Sequence, residues 1–151
     1  MPTLYILIGP PACGKSTFAK LMRGYDLGTI VSSDQVRKQL YGDESVQKDH
    51  AKVFAICHNK IKDAIADGQD VIFDATNTAP NHRNTAMDVA RDAGADQIVG
   101  IMYNGTLEKC LENNRNRDRQ VPEEVIRRLY DDMYRFEPKL SDVFDELIPL
   151  R

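Results

Sequence analysis

Cysteine is scarce in this chain: Cys13, Cys57 and Cys110 are the only three, an odd number with no CxxC spacing. That argues against a disulfide framework and points to reduced thiols in a cytoplasmic compartment. Long apolar runs are missing as well. The longest, Leu4–Ile8, is far too short for a membrane span or a signal-peptide core. An excess of positive charge is also absent, since 20 Lys and Arg face 23 Asp and Glu for a net charge of −3. The resulting pI near 5.6 excludes a generally basic nucleic-acid coat but not a local basic groove. With no secretory signal in view, Asn104-Gly105-Thr106 reads as a turn rather than a glycosylation acceptor.

What is present fits one globular domain over residues 1–151, with 42% hydrophobic and 28% charged residues. Thr3–Ile8 is almost continuously apolar, as in a parallel strand buried on both faces. A helix is expected from Lys15 to about Met22, a strand at Thr29–Ser32 and a short helix at Asp34–Leu40. Phe54, Cys57, Ile61 and Ile65 recur at helical spacing, which predicts a long amphipathic helix from Val46 to about Ala66, ended by Gly68. Asp70–Asp74 reads as a third strand and Ile98–Tyr103 as a fourth. Between them, Thr78 and Pro80 mark a helix start whose buried face carries Ala86, Val89, Ala90 and Ala93. Thr106 can cap a helix to about Asn114, and Pro122 opens a last helix through about Phe136. The tail Val143–Leu150 can add a short edge strand. Alternating strands and helices predict an α/β three-layer fold with a four- or five-stranded parallel sheet and ligands at the strands' carboxyl ends.

Gly9-Pro10-Pro11-Ala12-Cys13-Gly14-Lys15-Ser16-Thr17 satisfies the phosphate-loop pattern G-x-x-x-x-G-K-[ST] in full, with a strand before it and a helix after it. Such a loop wraps an anion with backbone N–H groups, and the helix N-terminus adds partial positive charge. Gly9 and Gly14 are expected to let the backbone approach the phosphates, with Pro11, Ala12, Cys13 and Thr17 completing the cradle. Lys15 would bridge the β- and γ-phosphates, and Ser16 would give its hydroxyl to Mg²⁺. Cys13 reads either as an oxidisable thiol in a positive field or as a small residue that fits the loop. The expected ligand is ATP or GTP with Mg²⁺. Asn59-Lys60-Ile61-Lys62-Asp63 misses the guanine-reading N-K-x-D spacing and lies in a helix, and Asp74-Ala75 lacks the hydrolytic glutamate of a motor.

A kinase needs a carboxylate near the acceptor hydroxyl and cations for the moving charge. Asp34 and Arg37 lie on one helical face just past the second strand. Asp34 fits either a base or a helix N-cap. Asp74 ends the third strand, placed for the Mg²⁺ second shell or for orienting Arg37, with Thr76 and Asn77 at the cleft edge. Arg115, Arg117 and Arg119 alternate in a polar connector before the last helix, which fits a phosphate-covering lid over residues 113–122. His50, Cys57 and His58 share a helix but lack zinc-ligand spacing.

On Gly9–Thr17, Ser33-Asp34-x-x-Arg37, Asp74-Ala75-Thr76-Asn77 and the arginine stretch leading into Val121-Pro122, the chain resembles the P-loop polynucleotide 5′-hydroxyl kinase family over almost its whole length. The loop departs from that family's usual P-G-S-G-K-S-T at Ala12 and Cys13. The resemblance implies a nucleoside-monophosphate-kinase-like fold and ATP-dependent transfer to the 5′-OH end of DNA or RNA. It implies Asp34 as general base, Arg37 on the neighbouring phosphate, Asp74 bracing Arg37, and lid arginines on the donor, with Arg117 and Arg119 favoured over Arg115. Arg83 and the Arg115–Arg119 segment weakly favour a nucleic-acid acceptor. Related kinases of the same shape act on nucleosides, sugars or nucleotide sugars, as zeta toxins do, and a non-catalytic nucleotide-binding module is the third alternative.

Overall fold

The structure, a computed structural model, describes residues 2–25, 28–138 and 144–150. In chain order the elements are β1 (Thr3–Ile8), α1 (Lys15–Gly24), β2 (Thr29–Ser32), α2 (Ser33–Tyr41), α3 (His50–Ala66), β3 (Val71–Asp74), α4 (Pro80–Ala93), β4 (Gln97–Tyr103), α5 (Leu107–Arg115), α6 (Glu123–Arg135) and β5 (Glu146–Leu150). The strands form one sheet in the order β2-β3-β1-β4-β5. Every neighbouring pair is parallel. Of the expected tail strand, Val143 lies outside the described residues, and Glu146–Leu150 forms the parallel edge.

The apolar N-terminal run takes the centre of the sheet because both of its faces are covered. Leu4, Ile6 and Ile8 pack with Val53, Cys57, Ile61, Ala86, Ala90, Leu111 and Ile126 of α3 to α6. Leu7 faces the other way, against Ala19 and Met22 of α1 and Leu150 of β5. The three layers are therefore unequal, with several helices on one face and α1 on the other. Among the described residues no helix is long and apolar enough to cross a membrane.

Two helix starts differ from expectation. The long helix begins at His50, four residues after Val46, because Asp49 takes a left-handed conformation with φ 53°. Helix α4 starts at Pro80 after an extended Ala79, with no side-chain cap, so Thr78 does not cap it and is buried instead. Thr106 does cap α5, accepting a hydrogen bond from the Lys109 N–H at 3.1 Å.

Parallel pairing brings all the carboxyl ends to one edge of the sheet. Ser32 of β2 lies beside Asp74 of β3, and β3 is the neighbour of β1, which leads into the phosphate loop. Residues far apart in sequence thus leave the sheet side by side.

Candidate active site

The phosphate loop follows β1 and turns through two left-handed residues, Ala12 with φ 66° and Gly14 with φ 97°. A Cβ on Gly14 would meet nothing within 4 Å, so its glycine serves the backbone turn at the anion site. Gly9 serves packing instead. A Cβ there would lie 2.6 Å from Cys13 Sγ and 3.0 Å from Tyr103 Cβ. Gly9 and Cys13 are not among the residues lining the cleft, and Cys13 is buried. The loop is braced from two sides: Gly9 N–H donates to the Thr76 carbonyl at 2.9 Å, and Asn113 Nδ2 donates to the Ala12 carbonyl at 3.0 Å.

Beside it opens a cleft of about 1020 Å³ lined by Pro11, Ala12, Gly14, Lys15, Ser16 and Thr17 on the loop side. Lys15 is buried, its Nζ donating to the Pro10 carbonyl at 2.8 Å, which aims the ammonium along the loop. Ser16 Oγ donates to Asp74 Oδ2 at 2.8 Å. Burial raises the Asp74 pKa above its ordinary value, against the opposing pull of Lys15 and Ser16. A hydroxyl paired with an under-compensated buried carboxylate suits a hard, hydrated cation, so Ser16 and Asp74 are the residues that could hold Mg²⁺. Among the described residues there is no cluster of three or more His, Cys, Asp or Glu side chains able to hold a metal ion.

The Asp74 carboxyl carries a testable cost. Because its folded pKa is raised, the folded state loses stability as pH climbs from 3.8 through the raised value. In Asp74→Asn that loss is removed. Thermal unfolding of the nucleotide-free variant should show a higher midpoint than wild type at neutral pH. The gap should close below about pH 3.8, the ordinary carboxyl value. Stabilisation by magnesium and nucleotide should shrink in the same variant.

On the acceptor side, Ser32 caps α2, its Oγ accepting from Gln35 N–H at 3.3 Å. Asp34 is therefore not the cap. It stands in the first turn of α2 with its side chain 41% exposed to the cleft. Arg37 is nearly buried and donates through Nη1 to Asp34 Oδ1 at 3.3 Å. Its Nη2 lies 3.3 Å from His50 Nδ1. Asp74 therefore does not brace Arg37. His50 and Asp34 do, while Asp74 faces Ser16.

The arginines divide sharply. Arg115 is exposed and forked onto Glu123, with Nε to Oε2 at 2.9 Å and Nη2 to Oε1 at 3.1 Å. Arg83 is buried away from the cleft and donates to the carbonyls of Asn77 at 2.9 Å and Phe136 at 3.0 Å, tying α4 to the end of α6. Arg117 lines the cleft, with Nε 3.4 Å from Asn114 Oδ1 and a buried Nη2 that has no hydrogen-bond partner among the described residues. Arg119 also lines it and reaches across to Asp34 Oδ2 at 3.0 Å and Glu44 Oε1 at 2.7 Å.

Thr76 lines the cleft, with its carbonyl committed to the phosphate loop. Asn77, in a left-handed conformation with φ 51°, donates through Nδ2 to the carbonyls of Leu7 at 2.9 Å and Ala75 at 3.3 Å, so this amide group braces the sheet end. Sequence reasoning missed His50, Phe54 and His82, which form the far wall with Phe54 and His82 stacked at 3.9 Å, and Arg128 on α6. Phe54 carried a signal, since it opens the helical stripe of α3.

The fold is similar to that of a chain in the Pnkp1/Rnl/Hen1 RNA repair complex, with a TM-score of 0.78 and 20% identity over 90% of this chain. This chain spans only 45% of the length of that one. A gluconokinase from Sinorhizobium meliloti 1021 has a TM-score of 0.65 and 12% identity over 99% of this chain and 82% of its own. A fungal RNA kinase has a TM-score of 0.61 and 20% identity over 99% of this chain and 74% of its own. No curated protein sequence matches the chain. The family described as AAA domain matches residues 4–138, almost the whole described fold, and the chain belongs to that family.

Proposed function

We propose that this protein is a P-loop phosphotransferase that moves the γ-phosphate of ATP or GTP to a hydroxyl of a small anionic acceptor. The observation that carries the reading is the position of Asp34: relieved of capping by Ser32, paired with the nearly buried Arg37, and facing the cleft that the phosphate loop lines. In the proposed reaction Asp34 takes the proton of the acceptor hydroxyl. The acceptor oxygen bonds to the γ-phosphorus, and the bond from that phosphorus to the β–γ bridging oxygen breaks, leaving the nucleoside diphosphate. Lys15 and Arg117 face the transferring charge, and Arg37 holds an anion beside the hydroxyl. Ser16 and Asp74 would hold Mg²⁺, which would supply further neutralisation of the phosphate charge.

A small acceptor is favoured because two arginines expected to serve a nucleic acid, Arg83 and Arg115, are tied up elsewhere. The cleft of about 1020 Å³ must also hold the donor, and its far wall is partly apolar, with Phe54, Val125 and Leu129. A second reading, transfer to the 5′-OH end of DNA or RNA, is supported by the likeness to the RNA repair chain and the RNA kinase. Arg117, Arg119 and Arg128 along the cleft support it as well.

One screen separates the readings. The full chain is incubated with γ-labelled ATP or GTP, Mg²⁺, and two acceptor sets: small polyhydroxy acids, sugars and nucleosides, or 5′-OH oligonucleotides of DNA and RNA. Label on a small polyhydroxy acid is the expected result, and label on neutral sugars or nucleosides alone would overturn the anionic acceptor. Label on oligonucleotides alone would establish the second reading. Nucleotide binding with trace hydrolysis and no labelled acceptor would reject both and leave a binding module.

A further inference from the structure

Both oxygens of Asp34 are occupied, one by Arg37 from its own helix and the other by Arg119 from the arginine-rich connector. Arg119 is held there by a second carboxylate, Glu44, through the shorter of its two ion pairs, 2.7 Å against 3.0 Å. Glu44 sits in the loop between α2 and α3. Ser45 donates both its N–H, at 2.8 Å, and its hydroxyl, at 2.7 Å, to Asp43 Oδ1. Nothing in the chemistry of transfer requires a carboxylate at Glu44, yet it meets the one lid cation that also covers the base.

An arginine shared between two carboxylates cannot at the same time stand on the donor phosphates. We propose that Glu44 is a positioning residue that parks Arg119 on Asp34 before nucleotide binds, so that lid cation and base cover one another until donor phosphates draw Arg119 away. The polyanionic donor in the phosphate loop competes for the same guanidinium, and Arg117, next to it, already faces the cleft. The order of binding follows. Donor binding uncovers the second oxygen of Asp34, and only then can an acceptor hydroxyl meet it. The same mask keeps Asp34 from activating water in a cleft without its donor. This deepens the transfer reading and rests on it for the role of Asp34, but the parking of Arg119 is measurable without any acceptor.

The test is a double-mutant cycle on nucleotide affinity. Magnesium and a non-hydrolysable ATP analogue are titrated into wild type, Glu44→Gln, Arg119→Ala and the double variant, all as full chains. Because the pairs are 31–41% exposed, the effect is modest. Glu44→Gln should tighten binding about threefold, and the gain should fade at high salt. In the Arg119→Ala background the same substitution should change nothing. Equal affinities in wild type and Glu44→Gln, or the same change in both backgrounds, would overturn the proposal. If an acceptor is found, Glu44→Gln should lower KM for the donor with kcat unchanged. Coupled affinities in a chain that labels no acceptor would uphold the parking and reject transfer. Labelled product with uncoupled affinities would do the reverse.

Discussion

Asp34→Asn is expected to lose about a thousandfold in transfer rate, the middle of the range for removing a positioned general base. Asparagine keeps the size of the side chain and can still accept a hydrogen bond from Arg37, so the loss isolates the proton-accepting charge. Helix α2 should be unharmed, because its cap is Ser32 and not Asp34. Affinity for nucleotide should be retained or slightly improved, since Asp34 is absent from the phosphate loop and its charge holds Arg119 away from the donor. Turnover within threefold of wild type, measured on the labelled acceptor, would remove Asp34 from the base role.

Alanine at Arg117 should cost transfer nearly as much, again about a thousandfold, the lower end for an arginine that stabilises transferring phosphoryl charge. Its guanidinium lies in the cleft with a buried Nη2 that has no partner among the described residues. Burial and the neighbouring Arg119 cation both lower its proton affinity. A cation so short of counter-charge is poised for an anion. Arg115→Ala should change turnover less than twofold, because Arg115 is exposed and forked onto Glu123, the usual setting of a surface pair of little worth. Comparing kcat for the two variants checks the assignment. Equal losses would mean that the connector acts as a diffuse charge rather than through Arg117.

The strands and the phosphate loop were legible because their signals are local. An apolar run, a glycine pattern and the following helix all fall within residues 3–24, and the structure places β1 and α1 there. Asp34 and Arg37 were legible for the same reason, one helical turn apart just past a strand. The arginines were harder, because a long cation takes whichever partner the tertiary fold brings. Arg83 did carry a warning, since it falls three, four and seven residues before Ala86, Met87 and Ala90 on the buried stripe of α4. Arg115 had an acid eight residues on, Glu123, across a connector short enough to fold back. No spacing rule joins Glu44 to Arg119, or His50 to Arg37. Those contacts exist only once the loop after α2 faces the connector before α6.

The central place of β1 has a consequence for how the chain reaches its folded state. β1 precedes the other strands of the sheet in the chain, yet its two neighbours are β3 at Val71–Asp74 and β4 at Gln97–Tyr103. A nascent chain ending after α3 already contains the phosphate loop, Asp34 and Arg37, but neither flanking strand of β1. Parallel pairings between such distant segments require large loops to close before any contact offsets the lost entropy, so they form slowly. Until then the apolar N-terminal run is exposed, and it is the segment most in need of protection from aggregation while the ribosome is still at work. The complete cleft needs Asp74 of β3 and Arg117 and Arg119 of the connector, all of which follow the phosphate loop in the chain. The order of strands in the sheet ties assembly of the ligand site to pairings between segments far apart in the chain.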